Sequence, residues 1–360
     1  MPVPGRIYHV EDGKVITTDG TQIYDLEGVS PISSINIMLK LTANGVTPTG
    51  HPSLAIPTFE VVDGSTPLVS FNGSQMQGVD IFTRPNMGHR RVDWMDNVMT
   101  IWTASYQFGR HEWDKQLAFL PGNFHNPQLR IQHNYDLGGA APDAGSLDVW
   151  FNLFDEVEVS PVGFLATRES HKITAVNDQV TYIDLPADRT LRALFINSLA
   201  TGKAPHSQFN KLRLDVDGDR RIIFDESTSD LAKNDLYRGP QIFETHRGAA
   251  NISPVTFYMT PTYEQGGVAG EHAYNGKHVA IHTSTGGTFT VQSEAGGIQI
   301  AANIQGYCPH GMIRIPFGEQ GDLDDWFDTA DVKNLRLRIT HGSSVTTADI
   351  GVIVQQLFRY

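Results

Sequence analysis

Three groups of side chains have spacings that chemistry can use. Asp215-Val216-Asp217-Gly218-Asp219, with Glu226 at the twelfth position, puts carboxylates at positions one, three, five and twelve. That is the ligand order of an EF-hand calcium loop. Here the glycine stands at position four rather than six, and Arg220 fills position six. The plainer reading is a hairpin turn centred on Asp-Gly. The second group is His272, His278, His282, Cys308 and His310. His278 and His282 share a face of either a strand or a helix, and Cys308 and His310 share a strand face. A thiolate with imidazoles binds zinc. The spacing matches no zinc signature, however, and Gly-rich connections hold ligands loosely. Polar loop and interface histidines are the plainer reading, and at subunit contacts they would make assembly pH-sensitive. The third is Asp155-Glu156-Val157-Glu158. Glu156 and Glu158 on one strand face would approach the roughly 5 Å separation of a retaining glycosidase. Here the plainer reading is a solvated linker.

No nucleophile elbow, phosphate loop or dinucleotide fingerprint is present. The expectation is therefore a protein that is not an enzyme, with no catalytic, cofactor-binding or metal residues. Arg110 is set to pair with Asp114 or with a neighbouring chain. Trp94, Trp102, Trp113, Trp150 and Trp326 are expected in cores. Trp94 and Trp102, beside Arg90, Arg91 and Met95, also suit an intersubunit surface, where aromatic residues, Met and Arg are enriched.

The elements that must position these groups are strands. Leu129, Ile131, His133 and Tyr135 alternate with Arg130, Gln132 and Asn134, and Leu335, Leu337 and Ile339 alternate with Arg336, Arg338 and Thr340. Thr288–Ser293, Ile298–Ile304 and Ile350–Phe358 read the same way. Asp63-Gly64, Asp217-Gly218, Gly286-Gly287 and Gly296-Gly297 punctuate the runs. Short helices are expected only near Trp113–Leu120 and Asp322–Asp328. Many short strands with Gly/Pro turns indicate sandwiches or barrels.

Composition narrows the function classes. The 360 residues carry a net charge of −13, which argues against a nucleic-acid-coating surface and against direct sequence-specific nucleic acid binding. Charged residues are only 19 %, which suggests surface covered by other chains or by polar uncharged groups. The single cysteine, Cys308, excludes a disulfide framework within the chain. Met1–Lys14 has no apolar run of the secretory type, and no window is long and apolar enough for a membrane-spanning helix.

The chain also repeats itself. Thr17 and Thr174 are 157 apart, Leu26 and Leu185 159, and the Asp63-Gly64 and Asp217-Gly218 turns 154. Phe108-Gly109 recurs as Phe317-Gly318, 209 residues on, and Leu129-Arg130-Ile131-Gln132-His133 as Leu337-Arg338-Ile339-Thr340-His341, 208 on. Each match is weak alone; their shared order carries the inference. The jump in offset assigns about 55 extra residues to the second half, within about 219–316, where glycines separate short strand-like runs. A loop of this length with its own strands is usually a functional elaboration. The expected fold is all-β: two tandem eight-stranded jelly-roll sandwiches, spanning 1–160 and 161–360, the second with a long Gly-rich β insertion. Ser160-Pro161 marks the linker.

The first half then resembles a known family. Val62-Asp63-Gly64-Ser65, Leu68 and Gly73 are followed by Phe108-Gly109-Arg110, Asp114, Leu117, Leu120-Pro121, Phe124 and Asn126-Pro127-Gln128-Leu129-Arg130-Ile131. The cluster is similar to double jelly-roll major capsid proteins, the lineage of tectiviruses, corticoviruses and the adenovirus hexon. The second half keeps Phe317-Gly318 and Leu337-Arg338-Ile339 but lacks an Arg after Gly318 and lacks Asn-Pro-Gln. The resemblance implies a structural capsid protein of a virion, in many members of a bacteriophage, assembled in the host cytoplasm. It implies homotrimers whose six lobes give pseudo-hexagonal capsomers that tile an icosahedral shell, usually over an internal lipid membrane. Expected partners are neighbouring capsomers, minor capsid or penton proteins, and possibly that membrane. Two other readings remain: a carbohydrate-active sandwich (glycosidase or lectin) centred on Glu156 and Glu158, and a calcium-stabilised adhesin.

Overall fold

A computed structural model of the chain describes residues 5–84, 90–155, 159–271 and 279–360, with the backbone alone for 268–271 and 279–285. The first half contains β1 (Arg6–Ile16), β2 (Gly20–Asp25), β3 (Ile32–Ala43), β4 (Thr58–Asp63), β5 (Thr66–Phe71), α1 (Gly73–Thr83), β6 (Arg90–Asp93), β7 (Met99–Gln107), β8 (Pro127–His133) and β9 (Pro142–Leu153). Strands β1-β9-β3-β7 form one sheet, and β2-β8-β4-β5 lie beside one another in a second. Side chains alternate across each strand, so one parity from each sheet faces the other. Ile35, Ile37 and Leu39 of β3 thereby meet Phe59 and Val61 of β4 and Leu129 and Ile131 of β8 in one buried core.

The second half repeats this wiring with β10 (Gly163–Thr174), β11 (Val180–Leu185), β12 (Leu191–Asn197), β13 (Phe209–Val216) and β14 (Arg221–Ser227). After an insertion come β21 (Met312–Pro316), β22 (Leu335–His341) and β23 (Asp349–Arg359). The order β10-β23-β12-β21 mirrors β1-β9-β3-β7, and β11-β22-β13-β14 mirrors β2-β8-β4-β5. Leu194, Ile196, Leu212, Leu214, Leu337, Ile339 and Val352 fill the second core.

The repeat reaches individual hydrogen bonds. Asp63 Oδ1 accepts from the backbone N–H groups of His125 and Asn126 at 3.1 and 2.7 Å. Asp217 Oδ1 accepts from those of Lys333 and Asn334, both at 3.0 Å. Ile32 and Phe119 exchange backbone bonds, as do Leu191 and Phe327; Phe108 N–H donates to Ser33 and Phe317 N–H to Arg192. These pairs keep the offsets of the sequence matches. Gly64 and Gly218 both lie at positive φ, 61° and 67°, where a side chain would be strained.

The two rolls are joined through one eight-stranded sheet, in which β5 meets β10 in parallel at Ser70 and Arg168. Aromatic rings seal the seam. Phe164 of β10 lies 5.0–5.9 Å from Phe108, Phe119, Phe358 and Tyr360. The Tyr360 hydroxyl donates to Ala118 O at 2.8 Å and accepts from Leu120 N–H at 2.6 Å.

Between β14 and β21 the insertion supplies β15 (Ile242–Ala250), β16 (Val255–Tyr258), β17 (Pro261–Glu271), β18 (Val279–Thr285), β19 (Thr288–Ser293) and β20 (Ile298–Pro309). It makes a three-stranded sheet, β16-β19-β18, and a four-stranded one, β17-β20-β15-β6, whose last strand comes from the first half. Its core mixes Phe257, Phe289, Val291 and Ile304 with Ala43, Val92, Trp94 and Ala140 of the first half. The insertion of one roll therefore packs on the other. The fold is a double jelly roll with a β insertion in its second unit.

Two expected helices are absent. Trp113–Leu120 and Asp322–Asp328 form turns and isolated bridges. Trp113 sits at φ 65°, outside the helical region. Asp114 Oδ1 accepts from Gln116 N–H, and Asp322 Oδ1 from Asp324 N–H, each at 3.0 Å. Such local bonds offer the backbone an alternative to the helix. The longest helix, α1, was not expected. Asn72 and Gln75 close a capping box at its start, but nearly every side chain is buried, so the sequence shows no amphipathic stripe.

Candidate functional site

The acidic loop 215–219 is the β13–β14 hairpin turn. Asp217 holds the strand-leading segment 333–334, and Asp215 Oδ1 accepts from Asp219 N–H at 3.3 Å. Arg213 pairs with both Asp215 and Asp219. Glu226 stands on β14 opposite Leu212 of β13, paired into the ladder away from the turn. In this arrangement the carboxylates tie a turn to a neighbouring strand, as Asp63 does in the first half. Arg130 supports that first turn, donating to Gly64 O at 3.0 Å and Gln128 Oε1 at 2.8 Å.

Cys308 and His310 do not share a strand face. Both have left-handed backbone, φ 55° and 51°, so the chain twists between them. Cys308 is buried in the second core, which pushes its thiol pKa up. His310 faces the first half, its ring 4.7 Å from that of His51. His272 and His278 lie outside the described residues, as do Glu156 and Glu158; of His282 only the backbone is described. Among the described residues no group of three or more His, Cys, Asp or Glu side chains is placed to hold a metal ion.

Arg110 and Asp114 do pair, through two bonds at 2.7 and 2.9 Å, and Arg110 also donates to Gly321 O at 2.8 Å. The pair ties the first roll to the second across 211 residues. Burial raises the Asp114 carboxyl, but the Arg110 bonds outweigh it and hold the pKa low. Trp94, Trp102 and Trp326 are buried, whereas Trp113 and Trp150 are half-buried.

A buried polar junction, not expected from the sequence, lies where the insertion meets the first roll. Glu244 and His246 of β15 and His310 are all fully buried, and His51 is 4 % exposed. Trp94 Nε1 donates to His246 Nδ1 at 3.0 Å, which assigns the ring proton to Nε2, 3.2 Å from Glu244 Oε2. That carboxylate also accepts from Thr260 N–H at 3.0 Å. Burial pushes the Glu244 pKa up, yet its hydrogen bonds with His246 and Thr260 carry it well below the usual carboxylate range. His51 Nδ1 accepts from Ser53 N–H at 3.2 Å, and His310 Nε2 lies 2.7 Å from Gln77 Oε1, which also accepts from Trp102 Nε1. Burial lowers the His51 pKa to about 4 and takes His310 well below its ordinary value. His310 Nδ1 has no partner among the described residues. Burial therefore keeps the His51 and His310 imidazoles neutral, and acid would charge them. Its residues come from distant segments, and the one local sign was parity. Glu244 and His246 share the inward parity of Ile242, with exposed Phe243 between.

The first roll exposes several large apolar side chains, three of them (Ile7, Tyr8 and Val15) on β1. This strand pairs only with β9 and is exposed along most of its length. Ile7 is 59 % and Val15 75 % exposed; Ile23 of β2 and Met99 and Ile101 of β7 are exposed as well. These side chains lie at separate edges, β1 and β7 on opposite sides of one sheet and β2 at the edge of the other.

Among the solved structures similar to this chain over nearly its whole length are viral capsid proteins. The major capsid protein of STIV (Sulfolobus Turreted Icosahedral Virus) is 10 % identical, with a TM-score of 0.59 over 99 % of this chain and 97 % of that one. The major capsid protein P2 of bacteriophage PM2 is 10 % identical, with a TM-score of 0.53 over 99 % and 98 %. The PBCV-1 virus capsid protein is 11 % identical, at 0.51 over 99 % and 92 %. At these identities the likeness is one of fold, and the fold is the double jelly roll of viral major capsid proteins. No protein-family model matches the sequence, and neither does any curated protein.

Proposed function

We propose that the chain is a structural major capsid protein that trimerises into pseudo-hexagonal capsomers of an icosahedral virion. The observation that carries this reading is the double jelly roll itself: two eight-stranded sandwiches of identical wiring in one chain, matched end to end by capsid proteins. Tiling a shell uses closed symmetric units with large side interfaces. Two similar sandwiches per chain give a three-fold oligomer six similar lobes. The exposed Ile7, Tyr8 and Val15 of β1 suit such an interface. In this reading residues 1–160 and 161–360 are the two lobes, and the β15–β20 insertion is an outward, tower-like elaboration. Neighbouring capsomers and minor or penton proteins are the partners, with an internal membrane beneath and a bacteriophage source assembled in the host cytoplasm. The role requires no catalytic residue. The carbohydrate-active reading gains nothing from the neighbours named above, which are capsid proteins. Light scattering after size separation tests the proposal. A native mass of three chains, or far more, supports it; a clean monomer at high concentration overturns it.

A further inference from the structure

A cleft of about 630 Å³ opens where the two rolls and the insertion meet. Phe82 at the end of α1, Arg110, Arg192 of β12, Tyr307 of β20 and Arg314 of β21 line it. Arg110 is neutralised by Asp114. The other two guanidiniums are not. Arg192 is only 6 % exposed, and its bonds run to neutral acceptors, Gln355 Oε1 at 2.8 Å and Gln320 O at 3.4 Å. Arg314 stacks on Phe82 and makes long bonds of 3.4 Å to Phe82 O and Leu236 O; its Nε has no partner among the described residues. Among the described residues no carboxylate pairs with either. Asp235, also on the wall, is taken by Arg238 at 2.6 Å, and the charge of Asp322 acts on Arg110.

Burying a cation without a counter-charge is costly, and a bound anion would offset that cost. Burial, with repulsion from Arg314 and Arg110, lowers the Arg192 pKa to about 10. Guanidinium forks match the paired oxygens of phosphate and carboxylate. The cleft volume lies in the range of small-molecule sites.

We propose that this cleft binds a dianionic oxyanion of the phosphate class between Arg192 and Arg314, with Phe82 and Tyr307 as apolar walls. The site lies within one chain and stands apart from the capsid reading, so either can fail alone. The test is calorimetric titration of inorganic phosphate into the purified protein, with chloride at matched ionic strength as the control. The expected result is saturable binding at one site per chain, weakened at least tenfold by Arg314→Gln and less by Arg314→Lys. Arg336→Gln, at an exposed pair with Asp184, is expected to bind as the parent does. If Arg314→Gln does not fold, Arg314→Lys carries the comparison. No saturable binding to the parent protein, or equal loss in Arg336→Gln, overturns the proposal.

Discussion

The two jelly rolls share their wiring and differ in what they leave open. β1 and β10 are counterparts, yet β1 is exposed along most of its length, while β10 lies between β5 and β23 with Phe164 and Leu165 fully buried. The Asp63 and Asp217 turns hold their neighbouring strands through the same pair of bonds. The connection after β5 is short and carries α1 and β6; the one after β14 carries six strands. A small set of repeated bonds thus suffices to specify the scaffold twice. The differences mark where each unit meets its twin or the insertion.

The largest expected effect is at the seam. Phe164→Ala removes the ring that joins β10 to the first roll's aromatic cluster, and should cost about 3–5 kcal/mol in denaturant unfolding. A loss under about 1 kcal/mol would mean that the rolls barely depend on each other.

Next is acid. The pKa values of His51 and His310 are depressed in the folded chain, so the unfolded chain binds protons that the folded one refuses. Their contribution is complete above the ordinary histidine value, near 6.5, and is lost as pH falls from there toward about 4 for His51. Each contributes a slope of up to about 1.4 kcal/mol per pH unit in that window. Thermal melts between pH 7 and 5 should fall steeply, and His310→Gln should flatten the curve; an unchanged slope would contradict the buried, neutral pair.

The turns come third. Asp217→Ala should cost about 2 kcal/mol, since it removes two charge-assisted bonds. Asp63→Ala should cost less, because only Asp217 also holds a positive φ, 54°, that alanine tolerates poorly. Equal losses would place both effects in the bonds alone. The smallest effect is expected from chelator. With Asp215 and Asp217 engaged in turn bonds, EDTA should leave the melting temperature unchanged, and a clear drop would restore a calcium role for that loop.

Much of the scaffold was legible because strands carry period-two patterning that survives duplication. Leu129-Arg130-Ile131 and Leu337-Arg338-Ile339 marked equivalent strands, and the Asp-Gly pairs marked equivalent turns. What was not legible arises from packing. α1 is buried on nearly all faces and so lacks a helical stripe. Near Asp114 and Asp322, where short helices were expected, these acidic side chains bond their own backbone in turns. The pairing of β6 with β15 joins residues over 150 positions apart and leaves no local trace. The same holds for the junction, where His51, Gln77, Glu244 and His310 meet only after both halves and the insertion have packed.

The central claim is that two equivalent sandwiches in one chain build a three-fold unit with six similar lobes. Electron microscopy of the purified native protein tests it most directly. Class averages with three-fold symmetry and a six-lobed, near-hexagonal outline are the predicted result. Isolated two-lobed particles, or assemblies of two-fold symmetry alone, would contradict it.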